Sequence, residues 1–358
     1  MPGERVEDVF EKGVSMKFKF PKSLSQILKS QKRLRRILEK NLLQPSIGPK
    51  KARRPSAKIG LIEVKGFGSN PGRLFMKLYA PSRMAAKLPL VVILHGCRQT
   101  PEGFDAASGF SALARQCGFV LLYPQQSEGN NPQRCFNWFR PSAIARDRGE
   151  LMSVRQMIEF TCDRHRIDRS RIYLAGLSAG GALTSALVAT YPGLFAGAAI
   201  FAGMPLGAAR DAMSALRAMK SGVSRSPSEW GDLVRNVSPD QKAWPPISIW
   251  HGTDDRVVNS SNARASVAQW LTVGGINEDA GQTTSKPWGE LTQWKSKNKV
   301  QVSFYSLKGF GHGLPVRRSA KEGQTARFDP YIVDASISGP LTLLRTWGLK
   351  KRPGQAPE

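Results

Sequence analysis

The sequence predicts an α/β domain, a mostly parallel central sheet with helices on both faces. Three observations predict it. Short apolar runs recur along the chain, mostly separated by segments long enough for a crossover helix. The stretch from Ile172 to Ala209 carries no charged residue, as expected of strands covered on both faces. A chain of 358 residues with 41% hydrophobic content also suffices for a substantial core.

Residues 1–58 are set apart by charge, because they hold 16 Lys and Arg against 5 Asp and Glu, or +11 of a net +26. Within them, SLSQILKSQKRLRRILEKNLL places Leu24, Ile27, Leu28, Leu34, Leu38 and Leu42 near one helical face, with Lys32, Arg33, Arg35 and Arg36 largely elsewhere. Such a basic amphipathic helix suits contact with an anionic surface or acidic partner, or packing on the main domain as a solubilising arm. No aromatic residues interleave for base stacking, so specific nucleic-acid binding is not expected. The linker QPSIGPKKARRPSAK then divides the chain into a basic extension, 1–58, and a main α/β domain, 59–350.

The domain opens with IGLIEVKG and RLFMKLYAP, joined across GSNPG, as an antiparallel pair. LPLVVILHG, FVLLYPQ, RIYLAG, GAAIF, PPISIWHG and VQVSFYSLKG follow as strands. Residues 204–244 hold a helix-like stretch and a Ser/Pro/Trp-rich part suited to a cap over the sheet's carboxyl edge. Residues 271–299 read as a polar surface excursion carrying Trp288 and Trp294. The uncharged run is long enough to cross a bilayer, but glycines, Ser178, Thr184, Ser185 and Pro192 interrupt it, so it reads as core.

Chemistry concentrates at Gly176-Leu177-Ser178-Ala179-Gly180, a G-x-S-x-G motif with a strand before it and a helix after it. That context forces a strained turn and lifts the serine oxygen above the sheet, and the small residues around it permit the close backbone approach. A serine hydroxyl needs a base to take its proton and a carboxylate to orient that base, in the chain order Ser, acid, His for this arrangement. Of four histidines, His95 and His165 precede Ser178, and His251 precedes every acid on its own loop. His312, in GFGHGLP after the last strand, is therefore the expected base. The acid belongs beyond PPISIW, where HGTDD offers Asp254 and Asp255. Asp255 is favoured, since Asp254 lies closer to the strand and suits a turn cap; His251 is expected to be structural in that turn. The oxyanion donors are expected to be the backbone N–H groups of Ala179 and of Cys97 in HGC. A Cys97 thiol nucleophile is the rival reading, with no histidine better placed for it than His312 is for Ser178.

Four cysteines without a CxxC pair and four scattered histidines give little support to a zinc site, and no cofactor is expected. An apolar signal segment is not seen at the N-terminus, from which a cytoplasmic location is expected. Oligomeric state is not legible in the sequence.

LHGCRQT, QRCFNWF, GLSAGGA with ATYPGLFAGAAIFAGMPLGAA, HGTDD and GFGH together resemble the poly(3-hydroxybutyrate) depolymerase family of α/β-hydrolase esterases, which includes feruloyl and acetyl xylan esterases. GFGSNPGRLFMKLYAP is similar to that family's opening segment, and the likeness runs over roughly residues 60 to 315. It implies an α/β-hydrolase fold, Ser178 as nucleophile, Asp255 as acid, His312 as base, and Cys97 and Ala179 as oxyanion donors. It also implies that Phe136, Trp138 and Phe139 lie near the substrate cleft, the alternative being core aromatics. Cys97 and Cys135 fall in matching blocks, where a disulfide between them stays open because it would be unusual in the cytoplasm. The resemblance implies an extracellular location as the other possibility, although the basic extension departs from the family's secreted polymer-degrading members. The expected activity is that of a serine carboxylester hydrolase on polyhydroxyalkanoate polymer or oligomers. Feruloyl or acetyl xylan esterase activity is the near alternative, and a polyanion- or membrane-binding protein on a hydrolase scaffold is the distant one.

Overall fold

The computed structural model describes residues 60–81, 87–318 and 329–350; the basic helix and linker expected within 1–58 lie outside the described residues. The expected antiparallel pair is present as β1 (Ile62–Val64) and β2 (Phe75–Tyr79). The other six expected strands are β3 (Leu88–Leu94), β4 (Val120–Gln125), β5 (Ile167–Leu177), β6 (Gly197–Phe201), β7 (Ile247–Gly252) and β10 (Lys299–Leu307). These six lie side by side and parallel in the order β4-β3-β5-β6-β7-β10.

Side chains of alternate strand residues point to opposite faces, and here both faces are covered. Along β3, Leu90, Val92 and Leu94 join one core while Val91 and Ile93 join the other. The first core is closed by Leu151, Val154 and Met157 of α4 (Gly149–His165), Leu183 and Leu187 of α5 (Ala179–Thr190), and Val267 and Trp270 of α8 (Ser261–Val273). The second is closed by Phe104 of α1 (Pro101–Ser108), Phe110 of α2 (Phe110–Cys117), and Leu343 and Leu344 of α9 (Gly339–Thr346). Each branched aliphatic side chain fully buried in this way contributes about 1.5–3 kcal/mol, whereas an unpaired charge there costs more than that. That balance explains why the run from Ile172 to Ala209 carries none.

The expected cap in 204–244 is a pair of helices, α6 (Ala212–Ser221) and α7 (Pro227–Val237), each started by a capping box, from Asp211 and Ser226. Trp230 and Val234 are buried, and Gln269 ties α7 to the segment ahead of α6 by bonding Leu206 N–H, Leu206 O and Trp230 O.

Residues 271–299 correct the sequence reading. They are not a surface excursion alone, because β8 (Gln282–Lys286) and β9 (Gly289–Ser296) extend the main sheet antiparallel beyond β10. The main sheet thus has ten strands among the described residues. The reading failed because β8 is exposed along its whole length, so an edge strand with no buried face leaves no apolar alternation to read. Trp294 is buried and donates through Nε1 to Glu278 O at 2.7 Å, while Trp288 stacks on Tyr305. A short parallel pair, β11 (Leu314–Val316) and β12 (Ile332–Asp334), follows the last strand.

Candidate active site

β5 runs directly into Ser178 and α5 leaves from Ala179. Ser178 is held at φ 57°, ψ −117°, a conformation that costs a non-glycine residue about 1–3 kcal/mol and persists only where its surroundings enforce it. They do so here: Ser178 N–H donates to Phe201 O at 2.8 Å, and Ser178 O accepts from Ala182 N–H at 2.9 Å. A Cβ on Gly176 would lie 2.2 Å from Gly180 O, and one on Gly180 would lie 2.3 Å from Leu94 O. Ser178 is the single residue between Ile172 and Pro192 that is not buried. The turn therefore presents one hydroxyl at the surface of an otherwise closed core.

The two neighbouring acids have different surroundings. Asp254 is exposed and accepts from Thr253 Oγ1 at 2.9 Å. The Asp255 side chain has no exposed surface. Its Oδ1 accepts from Val257 and Val258 N–H, both at 2.8 Å, and its Oδ2 accepts from His312 Nδ1–H at 2.7 Å. Burial alone would raise the Asp255 carboxyl, but the His312 and backbone donors outweigh it and hold it below the usual carboxylate range. His251 is buried, donates through Nε2 to Val258 O at 2.8 Å and reaches Asp255 Oδ2 at 3.4 Å. Its burial lowers its pKa, which favours the neutral ring in that turn. The loop bearing His312 crosses the end of β7 so closely that a Cβ on Gly252 would sit 2.0 Å from Phe310 O.

Ser178, Asp255 and His312 thus follow the carboxyl ends of β5, β7 and β10, three strands of the one parallel set. The hydrogen bonds among the described residues join Asp255 to His312 and include none from the Ser178 hydroxyl.

The loop after β3 lies against the same serine, since a Cβ on Gly96 would be 3.5 Å from Ser178 Cβ. Three of its amides are engaged: Gly96 N–H donates to Gln99 Oε1 at 2.6 Å, Arg98 N–H to Gln133 O at 2.7 Å and Gln99 N–H to Gly96 O at 3.4 Å. Cys97 N–H has no such partner among the described residues, and Ala179 N–H stands in the first turn of α5, where helical amides lack internal acceptors. Cys97 and Cys135 form a disulfide, which removes the thiol that the rival nucleophile reading required.

Aromatic residues of QRCFNWF divide. Phe136 has no exposed surface and packs on His95 in the core, so the substrate contact implied for it is corrected to a core role. Trp138 is 8% exposed and packs with Ala179, Ala182, Met204 and Trp230 beside the serine turn, and Phe139 is half-buried against it. Beneath lie residues that no motif announced. Buried Glu150 accepts from Asn137 N–H, Asn137 Nδ2 and Gln126 Nε2 at 2.6–2.9 Å, which anchors the loop carrying Cys135 and Trp138. His95 donates through Nδ1 to Gly96 O at 2.7 Å and accepts at Nε2 from Gln126 N–H at 3.1 Å. Burial, only partly opposed by the Gly96 bond, lowers its pKa to about 4. Among the described residues no group of His, Cys, Asp and Glu is arranged to hold a metal ion, and no helix is long and apolar enough to cross a membrane.

Residues 74–292 match the family described as esterase PHB depolymerase. The chain belongs to this family. It is 40% identical over 296 residues to poly(3-hydroxyalkanoate) depolymerase C of Paucimonas lemoignei, covering 82% of this chain and 71% of that protein. It is 30% identical over 263 residues to feruloyl esterase B of Talaromyces stipitatus, covering 71% of this chain and 72% of that protein. With the acetylxylan esterase of Coprinopsis cinerea the identity is 31% over 262 residues, covering 71% and 69%. Among solved structures, the acetyl xylan esterase from Aspergillus awamori superposes with a TM-score of 0.64 at 26% identity, covering 71% of this chain and 94% of that one. This member of the PHB depolymerase esterase family is a serine carboxylester hydrolase with the α/β-hydrolase fold.

Proposed function

We propose that Ser178, His312 and Asp255 carry the reaction, with the backbone amides of Ala179 and Cys97 as oxyanion donors. The observation that carries this reading is the buried Asp255–His312 hydrogen bond, on the same sheet edge as the partly exposed, strained Ser178. Ser178 Oγ attacks the ester carbonyl carbon while His312 Nε2 takes its proton, and the two amide N–H groups donate hydrogen bonds to the negative charge that develops on the carbonyl oxygen. Collapse breaks the ester C–O bond, and His312 returns the proton to the departing alcohol. Water, deprotonated by His312, then attacks the acyl carbon, the acyl C–Oγ bond breaks to release the carboxylic acid, and His312 returns the proton to Ser178 Oγ. Asp255 holds the His312 tautomer and offsets the imidazolium charge.

The substrate class we infer is polyhydroxyalkanoate polymer or its oligomers. The 40% identity to the depolymerase over 82% of the chain, against 30% and 31% to the feruloyl and acetylxylan esterases, supports it. Aromatic or acetyl esters of polysaccharides form the second reading, favoured by the superposition on the Aspergillus awamori enzyme. Trp138 and Phe139 fit a wall of the acyl or alcohol subsite. The Cys97–Cys135 disulfide supports maturation in an oxidising compartment over the cytoplasmic location expected from the N-terminus. We further propose that residues 1–58 form a separate basic extension that adds contact with anionic surfaces.

Turnover of p-nitrophenyl esters of rising chain length, with clearing of amorphous poly(3-hydroxybutyrate), tests the reading. Ser178→Ala is expected to lose at least about 10^4-fold in kcat, Asp255→Asn about 10^3–10^4-fold, and Asp254→Asn less than about threefold. Equal turnover by wild type and Ser178→Ala would sink the proposed triad, and clearing of the polymer selects polyester over polysaccharide esters.

A further inference from the structure

Gln99, in the loop after β3, takes no part in the reaction as proposed, yet its side chain is only 5% exposed and fully engaged. Its Oε1 accepts from Gly96 N–H at 2.6 Å, and its Nε2 donates to both carboxylate oxygens of Asp329, each at 3.0 Å. Asp329 stands ahead of β12, and its Oδ1 also accepts from Tyr331 N–H at 2.9 Å. Tyr331 meets the base segment twice. Its carbonyl accepts from Leu314 N–H at 2.8 Å, and its ring stands edge-on to His312 with centroids 5.6 Å apart.

We propose that Gln99 and Asp329 form a positioning pair that holds the Cys97 amide in register with His312; the inference rests on the roles assigned above to Cys97 and His312. Cys97 lies between two fixed peptides, Gly96 bound by Gln99 and Arg98 bound to Gln133 O. An oxyanion donor is effective only when its direction is set before the charge appears, so the residue that sets Gly96 sets the donor beside it. Glutamine suits this task because one planar amide offers an acceptor to the loop and donors to the carboxylate. The carboxylate makes the second bond charge-assisted and therefore stronger than a neutral one. Gln99 is buried and therefore costly to leave unpaired, and Asp329 is partly buried beside it, so loss of the carboxylate is felt chiefly at the Gln99 end. Gln99 and Asp329 touch no substrate atom in this account; they act through Cys97 and Tyr331.

The test uses full-length chains carrying Gln99→Leu, Gln99→Glu, Asp329→Ala, Asp329→Asn and Ser178→Ala, assayed with p-nitrophenyl butyrate and by hydrogen exchange of the peptide spanning His95 to Thr100. Gln99→Leu is expected to lower kcat about 10–100-fold with KM within about threefold, the signature of a weakened oxyanion donor. Asp329→Ala should speed exchange in the Gly96–Gln99 segment, 230 residues away from Gln99's partner in sequence, and Asp329→Asn, which keeps one carbonyl acceptor, should restore most of both properties. In Gln99→Glu two carboxylates face each other, so its kcat relative to wild type should fall as pH rises from about 5 to 8. A Gln99→Leu kcat within threefold of wild type, unchanged exchange in Asp329→Ala, or an Asn variant no better than Ala would each overturn the pair. If Ser178→Ala alone stays active, the triad reading fails instead, and the exchange result, which needs no turnover, still decides whether the strut exists.

Discussion

His95 and Asp255 respond to pH in ways that follow from what surrounds each. His95 has no exposed surface and its folded pKa is about 4, below the ordinary histidine value. Between about pH 6.5 and 4 the unfolded chain therefore binds a proton that the folded chain refuses, and stability rises with pH across that window. The term is on the order of 3 kcal/mol, present in full above about pH 6.5 and lost by about pH 4. Buried His251, also lowered, acts in the same direction. Asp255 is depressed, so its contribution is present above the unfolded carboxylate pKa and lost only as pH falls through its lower folded value. Urea midpoints are expected to fall between pH 7.5 and 4.5, and His95→Gln, lacking the titrating ring, should flatten that slope; an equal slope in both proteins would remove His95 as its source. Sequence order excluded His95 as the base, but it could not show that the ring is locked neutral between Gly96 O and Gln126 N–H.

At the scale of elements, the site is built from loops that the sheet brings to one edge, and the disulfide joins two of them. Cys97 and Cys135 are 38 residues apart in sequence, and loop closure of that size contributes about 4 kcal/mol by restricting the unfolded chain. Replacing both by serine is expected to lower the unfolding free energy by roughly that amount and to reduce kcat more than it raises KM, because the cross-link sits on the loop proposed to supply the Cys97 oxyanion donor. Urea unfolding and p-nitrophenyl butyrate kinetics check the two parts, and a double variant as stable as wild type would show that hydrogen bonds such as Arg98 N–H to Gln133 O hold the loops unaided. β8 and β9 show the opposite situation, elements held chiefly by backbone pairing, with Trp294 the main buried anchor. Their polar sequence hid them, because strand periodicity is written only where one face is buried.

For the whole molecule, charge is the property least explained by the hydrolase fold. Residues 1–58 carry +11 of the net +26, and a charge density of that kind acts at long range and weakens with salt. A chain lacking residues 1–58 is expected to keep ester kcat within about twofold while losing salt-sensitive retention on vesicles rich in phosphatidylglycerol. Co-sedimentation at 50 and 300 mM NaCl measures the retention, and a truncated chain that binds as strongly as the full one would assign the contact to the catalytic domain. Unchanged ester turnover would also support the division of the chain near residue 58.

The sequence by itself determined the parallel strand set, the serine turn and the order of the triad candidates. These depend on near neighbours: alternating or continuous apolar runs select strands and helices, and glycines at 176 and 180 admit a backbone crossing that no larger residue allows. It also narrowed the base to His312 by elimination. Tertiary structure alone decided the contrast between exposed Asp254 and buried Asp255, the pairing of Cys97 with Cys135, the burial of Phe136, the edge strands β8 and β9, and the Gln99–Asp329 strut. Each of these turns on distance and burial between segments far apart in the chain, and hydrogen bonding and desolvation act through space whatever the separation in sequence.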